Sequence, residues 1–226
     1  MEYKEITKNR STFEKCKAAP DKTSNTYLFF KRAIDIICSF LGLIVLSPLF
    51  LILAFLIKLD DGGSVFYKHK RVGKDGKDIY IYKFRSMKKN ADDLENMLTP
   101  EQLEIFKTEF KIEDDPRITK IGNFLRETSL DELPQLLNIL KGDLSIVGPR
   151  PVVEDELENY GEDVNKLLSV KPGLTGYWQA YARNDVIYAT GERQKMELYY
   201  VDNSSLWFDI KIFFKTFVAV FKKTGQ

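Results

Sequence analysis

Residues 36–57 form an apolar run without a charged side chain, and this run constrains the fold more than any other segment. It is long enough for a helix that crosses the hydrocarbon core of a bilayer, which takes ~20 apolar residues. Ser47 and Pro48 stand near its centre. Proline lacks a backbone donor and crowds the carbonyl four residues earlier, and a serine hydroxyl can bond back to a nearby carbonyl. We therefore predict a kink at this position.

The kink leaves two arms that are too short to cross separately. Each arm would be roughly 15 Å long at 1.5 Å per residue, about half of the bilayer core. Lys31 and Arg32 precede the run and Lys58 follows it, whereas a spanning helix concentrates lysine and arginine on one side. We therefore predict that residues 31–59 form a re-entrant membrane helix with both ends on the cytoplasmic side. A kinked spanning helix and a buried helical hairpin in a soluble core are the alternatives.

Composition excludes several classes of protein. The chain has 226 residues, enough for one domain and an attachment element, and its net charge of +1 gives no reason to expect a nucleic-acid partner. Cys16 and Cys38 cannot build a disulfide framework, and the single histidine, His69, offers no zinc constellation. These facts favour a reducing, cytoplasmic setting. Residues 1–30 are polar and mixed in charge, so we expect an N-terminal polar segment and no signal peptide.

Residues 64–87, SVFYKHKRVGKDGKDIYIYKFRSM, predict a β-hairpin with Asp75-Gly76 as a tight turn. Its basic residues form either a solvated face or a surface for anionic lipid or a phosphorylated substrate. On the second interpretation, Lys83 and Arg85 are candidate phosphate-binding residues. The charged residues 88–113 predict two surface helices.

Residues 114–151 are the part of the sequence that is most informative about function. We predict a short helix ending near Arg126, a second helix with an apolar leucine face that stops at Gly142, and a stiff Gly-Pro-Arg-Pro loop that projects Arg150. Asp131 and Glu132 stand where the second helix begins. Two structural explanations need no function: a capping box between Ser129 and Glu132, or Asp131 as the N-cap with Pro134 in the first turn.

The functional alternative rests on four arginines in or beside short loops, namely Arg117, Arg126, Arg150 and Arg183. Guanidinium groups match phosphate oxygens. A carboxylate beside such cations and a bound Mg²⁺ can attack a phosphorus atom that would otherwise repel it. On this hypothesis the pair Asp131 and Glu132 supplies the attacking carboxylate.

The last predicted helix, residues 205–223, combines Trp207, Phe208 and Phe214 with spaced lysines. It is either an interfacial helix on a membrane surface or a core-packing helix with a lysine-lined outer face. The predicted fold class is therefore α+β and mainly helical: a re-entrant helix-break-helix, a β-hairpin, and a small cytoplasmic catalytic domain, residues 60–226, with interfacial amphipathic helices.

Several blocks of this sequence resemble the bacterial sugar transferases of the monotopic phosphoglycosyl transferase family. The blocks are KRAIDI, the Ser-Pro of the apolar run, YKFRSM, DPRITKIGNFLRETSLDELPQLLNILKGDLSIVGPRP and KPGLTGYWQAYARN. The resemblance covers residue 31 to the C-terminus. One departure is Ala182, where many members have glycine.

The resemblance implies transfer of a sugar 1-phosphate from a UDP-sugar to a polyprenyl phosphate such as undecaprenyl phosphate, the first membrane step of capsule, exopolysaccharide or related glycan synthesis. It implies an aspartyl-phosphosugar intermediate on Asp131, release of UMP, and Mg²⁺ at Asp131 with Glu132 as its dyad partner. It implies a phosphate-binding role for Arg150, a place near the site for Arg126, and a helix break at Ser47 and Pro48. It also implies a monotopic protein of the bacterial inner membrane that faces the cytoplasm.

Two other classes of function compete with this one. A non-catalytic membrane-surface adaptor would use the arginines to hold anionic lipid, and a phosphatase would act on lipid diphosphates. The sugar, the oligomeric state, the glycan pathway and the roles of residues 1–30 and 90–112 are not determined by the sequence.

Overall fold

The computed structural model describes residues 24–109, 112–182, 186 and 190–221. This part of the chain is mainly helical with two small sheets, which confirms the predicted α+β class. The helices are α1 (Asn25–Val45), α2 (Ser47–Asp61), α3 (Leu94–Met97), α4 (Pro100–Glu109), α5 (Lys120–Glu127), α6 (Gln135–Lys141), α7 (Val164–Leu168), α8 (Tyr177–Tyr181), α9 (Glu192–Asn203) and α10 (Leu206–Phe221). The strands are β1 (Phe66–Val72), β2 (Asp78–Phe84), β3 (Ser145–Val147) and β4 (Gly173–Thr175), and 3₁₀ segments span Lys74–Gly76, Leu130–Glu132 and Asp155–Asp163.

Helices α1 and α2 bend by 61° where Ser47 and Pro48 begin α2, which confirms the predicted kink. The Ser47 hydroxyl donates back to the Ile44 carbonyl at 2.7 Å, and Pro48 lies in the first turn, where its missing N–H costs little. Helix α1 begins at Asn25, so the predicted segment boundary at residue 30 falls inside it. In the described ranges no single helix is both long and apolar enough to cross a bilayer, but this bent pair passes the same test of length and composition together.

The basic residues before the apolar run bind protein groups, which changes one premise of the topology prediction. Lys31 Nζ lies 2.6 Å from Asp209 Oδ2 of α10, and the Lys31 side chain is 15% exposed. Arg32 donates to the carbonyls of Ile139 and Leu140 at 2.6 and 2.8 Å, and so provides hydrogen bonds to two carbonyls in the last turn of α6. Both cations attach α1 to the rest of the protein, so their charge is not independent evidence for a cytoplasmic flank.

Strands β1 and β2 pair antiparallel, which confirms the predicted hairpin. The connection is longer than a two-residue turn, because the register puts Val72 opposite Asp78 and leaves residues 73–77 between them. Asp75 and Gly76 both have positive φ, 58° and 74°. Asp75 and Gly76 therefore adopt the left-handed backbone that the tight-turn prediction expected, but within a loop of five residues.

Asn138 of α6 fastens this hairpin to the helix. Its buried amide accepts from the Tyr82 N–H at 2.9 Å and donates to the Tyr80 carbonyl at 2.7 Å, as a neighbouring strand would. A core cluster lies beside it, formed by Ile79, Ile81, Ile139 and Leu144. The hairpin and α6 are thus held as one unit by hydrogen bonds and apolar packing.

The Gly-Pro-Arg-Pro loop packs against the second sheet through its backbone. Strands β3 and β4 pair parallel, and the Gly148 N–H donates to the Thr175 carbonyl at 2.9 Å. A Cβ on Gly148 would lie 2.5 Å from the Lys171 carbonyl oxygen, and a Cβ on Gly173 would overlap the Gly148 nitrogen. Only glycine permits this approach, and the approach fixes the backbone that carries Arg150.

Helix α10 has one packed face and one exposed apolar face. Ile212 is fully buried in a cluster with Val147, Ala180 and Tyr200. Lys211 and Lys215 are exposed on the outer side together with large apolar residues, namely Trp207, Ile210, Phe214, Phe217 and Val218. The buried face and the exposed lysines agree with the core-packing alternative, while the exposed apolar residues on the outer side agree with the interfacial one, which stays a prediction.

Candidate functional site

Asp131 and Glu132 lie in the 3₁₀ segment Leu130–Glu132, directly before α6. Ser129 enters this segment with φ 56°, in the left-handed region. The flanking Leu130 and Leu133 pack against a core cluster of Leu53, Ile57, Phe84 and Leu125. The acidic pair is therefore positioned by α2, β2 and α5 at once.

Both capping explanations of the acidic pair are wrong. Within the described part of the chain, Ser129 makes no side-chain capping hydrogen bond, and Glu132 Oε1 accepts from Lys83 Nζ instead. Helix α6 begins only at Gln135, with Pro134 as its N-cap, so Asp131 does not cap it. Helix capping thus leaves the two carboxylates unexplained, which favours a functional role.

Lys83 of β2 contacts both carboxylates. Its Nζ lies 2.8 Å from Glu132 Oε1 and 3.7 Å from Asp131 Oδ2. The Asp131 side chain is 9% exposed, against 26% for Glu132 and 27% for Lys83. Asp131 therefore lies deeper than its two partners, and the hairpin places Lys83, a candidate phosphate-binding residue, beside the acidic pair.

Arg126 of α5 lies near the same carboxylates. Its Nε donates to the Ser86 hydroxyl at 2.9 Å. Burial lowers the pKa of the Arg126 guanidinium, and the negative charges of Asp131 and Asp115 oppose that shift. Because arginine keeps its proton in proteins, Arg126 supplies a fixed positive charge beside Asp131.

Arg117 is engaged in a structural contact. Its Nη2 lies 2.6 Å from Asp115 Oδ2, its Nε donates to Asp115 Oδ1 at 2.8 Å, and the residue is 4% exposed. Its guanidinium carbon lies 4.7 Å from the Phe106 ring centroid. Since Phe106 belongs to α4, Arg117 attaches the predicted surface helices to the site region. A phosphate-binding role for Arg117 stays a prediction.

Two further predicted residues are Arg85 and Arg183. Arg85 packs its guanidinium against Gly63, beyond the end of α2, where a Cβ would overlap Nη1. Arg183 lies outside the described residues. Ala182, just before it, has φ −148°, so the position that is glycine in many members requires no glycine here.

Arg150 belongs to a second group of charges. Its Nη1 lies 2.8 Å from Glu156 Oε1, while Glu156 Oε2 lies 3.1 Å from Arg71 Nη1. Burial alone would raise the pKa of Glu156, but Arg150 and Arg71 lower it to about 2. The Arg150 N–H donates to Glu197 Oε2 at 3.0 Å, and burial raises the pKa of that carboxyl to about 7.

His69 of β1 lies between the two groups. Its Nδ1 is 3.2 Å from Arg71 Nη2, and because arginine only donates, Nδ1 accepts and Nε2 carries the proton. Burial, together with the positive charges of Arg71, Lys83 and Arg150, lowers the pKa of His69 to about 3. The register of β1 and β2 puts Lys83, His69 and Arg71 on one face of the hairpin, so the two groups lie along the same face and we describe them together.

The sequence predictions did not include four members of the second group, which are His69, Arg71, Glu156 and Glu197. The hairpin pattern contains the information for two of them. Lys83 pairs with Tyr67, and alternate residues of β1 share that face, so His69 and Arg71 follow from the register. Glu156 stands in the acidic stretch 154–158, where no local pattern separates it from exposed neighbours.

Asp131 and Glu132 are a donor set that suits Mg²⁺. This ion is usually held by one or two carboxylates together with substrate phosphates and water. Among the residues that the structure describes, no group of three or more His, Cys, Asp or Glu side chains could hold a metal. An ion held by this pair would have to take its remaining ligands from substrate phosphates and water.

Comparison with known proteins identifies the class of the chain. The model of the family described as bacterial sugar transferase matches residues 26–223. Undecaprenyl-phosphate galactose phosphotransferase of Salmonella typhimurium is 49% identical over 200 residues, which cover 87% of this chain and 41% of the relative. The exopolysaccharide production protein ExoY of Sinorhizobium fredii is 50% identical over 199 residues, 87% of each chain.

A third relative is UDP-glucose:undecaprenyl-phosphate glucose-1-phosphate transferase of Escherichia coli, 41% identical over 85% of this chain and 39% of its own length. The chain thus spans about two fifths of the Salmonella and Escherichia relatives and most of ExoY.

Proposed function

Since the chain belongs to the bacterial sugar transferase family, we propose that it transfers a sugar 1-phosphate from a UDP-sugar to undecaprenyl phosphate or a related polyprenyl phosphate. The names of the Salmonella and Escherichia relatives support this acceptor, and the Escherichia name supports a UDP-sugar donor. The observation that carries the proposal is Asp131, buried beside Glu132 and contacted by Lys83. Residues 60–226 form the catalytic part.

In this mechanism an Asp131 carboxylate oxygen attacks the phosphorus that bears the sugar. A bond forms between that oxygen and the phosphorus, and the bond to the bridging oxygen breaks, so UMP leaves with the bridging oxygen. An oxygen of the polyprenyl phosphate then attacks the same phosphorus and releases Asp131. Lys83 and Arg126 offset the negative charge that gathers when a carboxylate approaches a diphosphate.

We propose that Mg²⁺ serves as the cofactor and is held by Asp131 and Glu132 together with the donor phosphates. When bound, the ion supplies positive charge to the diphosphate. Lys83 would then share Glu132 with the ion, and its ammonium would keep its place beside the two carboxylates. Lys83, Arg126 and Arg150 are the phosphate-binding residues in this proposal, and the chain's contribution is to hold these cations around one carboxylate.

We infer that residues 31–59 enter one leaflet of the bacterial cytoplasmic membrane and return, with the catalytic part facing the cytoplasm. The 61° bend supports this placement. Large apolar side chains are exposed along α1, α2 and α10, for example Phe29, Phe40, Val45, Leu51, Phe55, Trp207 and Phe214. A polyprenyl phosphate keeps its phosphate at headgroup level while the donor is soluble, so a site at the interface serves both. The name of ExoY supports a role in exopolysaccharide or capsule synthesis.

A donor panel tests the reaction. Protein in vesicles that contain polyprenyl phosphate should release UMP from at least one UDP-sugar, and EDTA should stop the release. Without acceptor, UMP should appear only as a burst equal to the amount of enzyme, because the phosphosugar stays on Asp131. Sustained release of free sugar phosphate without acceptor would indicate the phosphatase, and absence of UMP with every donor would contradict the proposal and favour the adaptor.

Cysteine labelling tests the membrane placement. Asn25→Cys and Ser64→Cys, both at exposed positions, bracket the apolar run in a chain whose Cys16 and Cys38 are replaced by serine. An impermeant thiol reagent should label both positions from the cytoplasmic face of vesicles, as it should label Glu158→Cys in the catalytic part. Labelling of the two bracketing positions from opposite faces would mean a spanning helix and would overturn the placement.

A further inference from the structure

Glu156 is a buried carboxylate shared by two arginines. Glu156 is 1% exposed, and its Oε1 accepts a hydrogen bond from Arg150 Nη1 at 2.8 Å. Its Oε2 accepts from Arg71 Nη1 at 3.1 Å and from the Val153 N–H at 2.8 Å. Its pKa of about 2 makes the carboxylate a weak base near neutral pH, so it is unsuited to take up a proton in the reaction. Its chemistry is to orient donors.

Arg71 braces the loop that carries Arg150. Its Nη1 also donates to the Pro151 carbonyl at 3.3 Å, and the next residue of β1, Val72, donates its N–H to the Val152 carbonyl at 2.9 Å. On the other side of the loop, the Arg150 N–H is held by Glu197. The backbone of this loop is therefore held from several directions, and the Arg150 side chain is held by Glu156 through Nη1.

The exposed fractions separate two buried residues, which support the loop, from one residue that can contact a ligand. The Glu156 and Arg71 side chains are 1% and 12% exposed, whereas the Arg150 side chain is 28% exposed. Two guanidinium groups share one carboxylate, and His69 contributes no charge because its pKa is about 3. The triad of Arg71, Glu156 and Arg150 therefore carries net positive charge, and Arg150 presents the part of it that reaches solvent.

We propose that Glu156 is a positioning residue: together with Arg71 it holds the Arg150 guanidinium in the orientation that binds a phosphate group of the substrate. This inference rests on the proposed function for the identity of the anion, which is either the donor diphosphate or the acceptor phosphate. A guanidinium binds phosphate through a planar fork, so its orientation sets affinity and transition-state contact more strongly than it would for a flexible ammonium. Glu156 acts only through Arg150.

Glu156→Asp gives the sharpest variant. It keeps the charge and the ion pairs with both arginines but shortens the side chain by one methylene, so the protein should melt near the wild-type temperature while Arg150 moves. We expect kcat/KM for the donor to fall by at least about tenfold. Arg150→Gln should lower it at least as much, and the double variant should be no worse than Arg150→Gln alone, because Glu156 has nothing left to position. Glu158→Gln, an exposed neighbour, is the matched control and should match wild type.

Two results would overturn the inference. One is wild-type kcat/KM in Glu156→Asp, and the other is a double variant whose loss is the product of the two single losses. Titration of the folded variants with UMP and with a short-chain polyprenyl phosphate distinguishes the donor from the acceptor, since only the ligand bound by Arg150 should bind more weakly. The affinity for inorganic phosphate gives a test that does not depend on the reaction. If wild type releases no UMP the proposed function fails, and equal phosphate affinity in wild type and Glu156→Asp would separately refute the positioning role.

Discussion

Asp131→Asn is expected to abolish UMP release from a UDP-sugar, with a loss of at least about a thousandfold in kcat. The amide has nearly the shape of the carboxylate but is not an anionic nucleophile, so no bond to phosphorus forms. Wild type incubated with donor alone should gain the mass of one phosphosugar on the peptide that contains Asp131, and the variant should gain none. The measurements are UMP formation and mass spectrometry of the intact protein and of its proteolytic peptides.

The control for this variant is Asp155→Asn, an exposed aspartate in the 3₁₀ segment Asp155–Asp163. It should keep wild-type turnover. Thermal melting separates loss of chemistry from loss of fold. We expect the variant to stay folded, because the Lys83 contact with Glu132 at 2.8 Å does not depend on Asp131. Full turnover by folded Asp131→Asn would refute the nucleophile assignment, and a phosphosugar adduct on a different residue would move the assignment to that residue.

Gly122→Ala should destabilise the protein by about 3 kcal/mol or more, which is at or beyond the usual cost of overpacking. Gly122 packs α5 directly on the strand end after β2, and its Cβ would overlap the Ser86 carbonyl oxygen and lie 2.6 Å from the carbonyl carbon. Both neighbours are backbone, so no side chain can turn away. The Thr119 N–H donates to the same Ser86 oxygen at 3.1 Å, so that hydrogen bond should be lost as well.

The measurement is urea or thermal unfolding of the detergent-solubilised protein. Asn123→Ala changes the next residue of the same helix, which is exposed, and should alter stability by no more than about 0.5 kcal/mol. Since Arg126 reaches the site from α5 and binds Ser86, Gly122→Ala should also reduce activity in whatever fraction stays folded. A Gly122→Ala protein with the unfolding midpoint of wild type would show that α5 does not pack on this strand end.

The two carboxylates illustrate how far sequence patterns lead. Ser129, Asp131 and Glu132 match two capping patterns, and those patterns alone would have assigned the pair to helix capping. The structure contradicts both, because within the residues it describes Ser129 makes no side-chain capping hydrogen bond and α6 begins only at Gln135. Glu132 instead contacts Lys83, 49 residues earlier in the chain. Local rules describe what a side chain can bind within one turn of helix. They do not describe a cation that a neighbouring strand brings to it.

The arginines also show that sequence patterns identify local partners of a charged residue but not those that burial selects. Arg117 and Arg150 look alike in the sequence, since each is a basic residue in a proline-containing loop. Asp115, two residues before Arg117, binds it tightly, and that pairing is local enough to have been anticipated. The partner of Arg150 is Glu156, in an acidic stretch where burial alone distinguishes it from exposed Asp155 and Glu158. Burial of a single acidic residue is decided by packing, so no sequence pattern pointed to it.

The sequence by itself determined the features that depend on one residue and its immediate neighbours. Pro48 lacks a donor wherever it stands, Gly142 takes φ 91° to end α6, and the alternation around Asp75-Gly76 makes a hairpin. Tertiary structure alone decided which charges meet. Lys31 and Asp209 are 178 residues apart in the chain, yet they lie 2.6 Å apart and join α1 to α10. Such pairs form because packing of distant elements brings them together and excludes water, and that packing is a property of the whole chain.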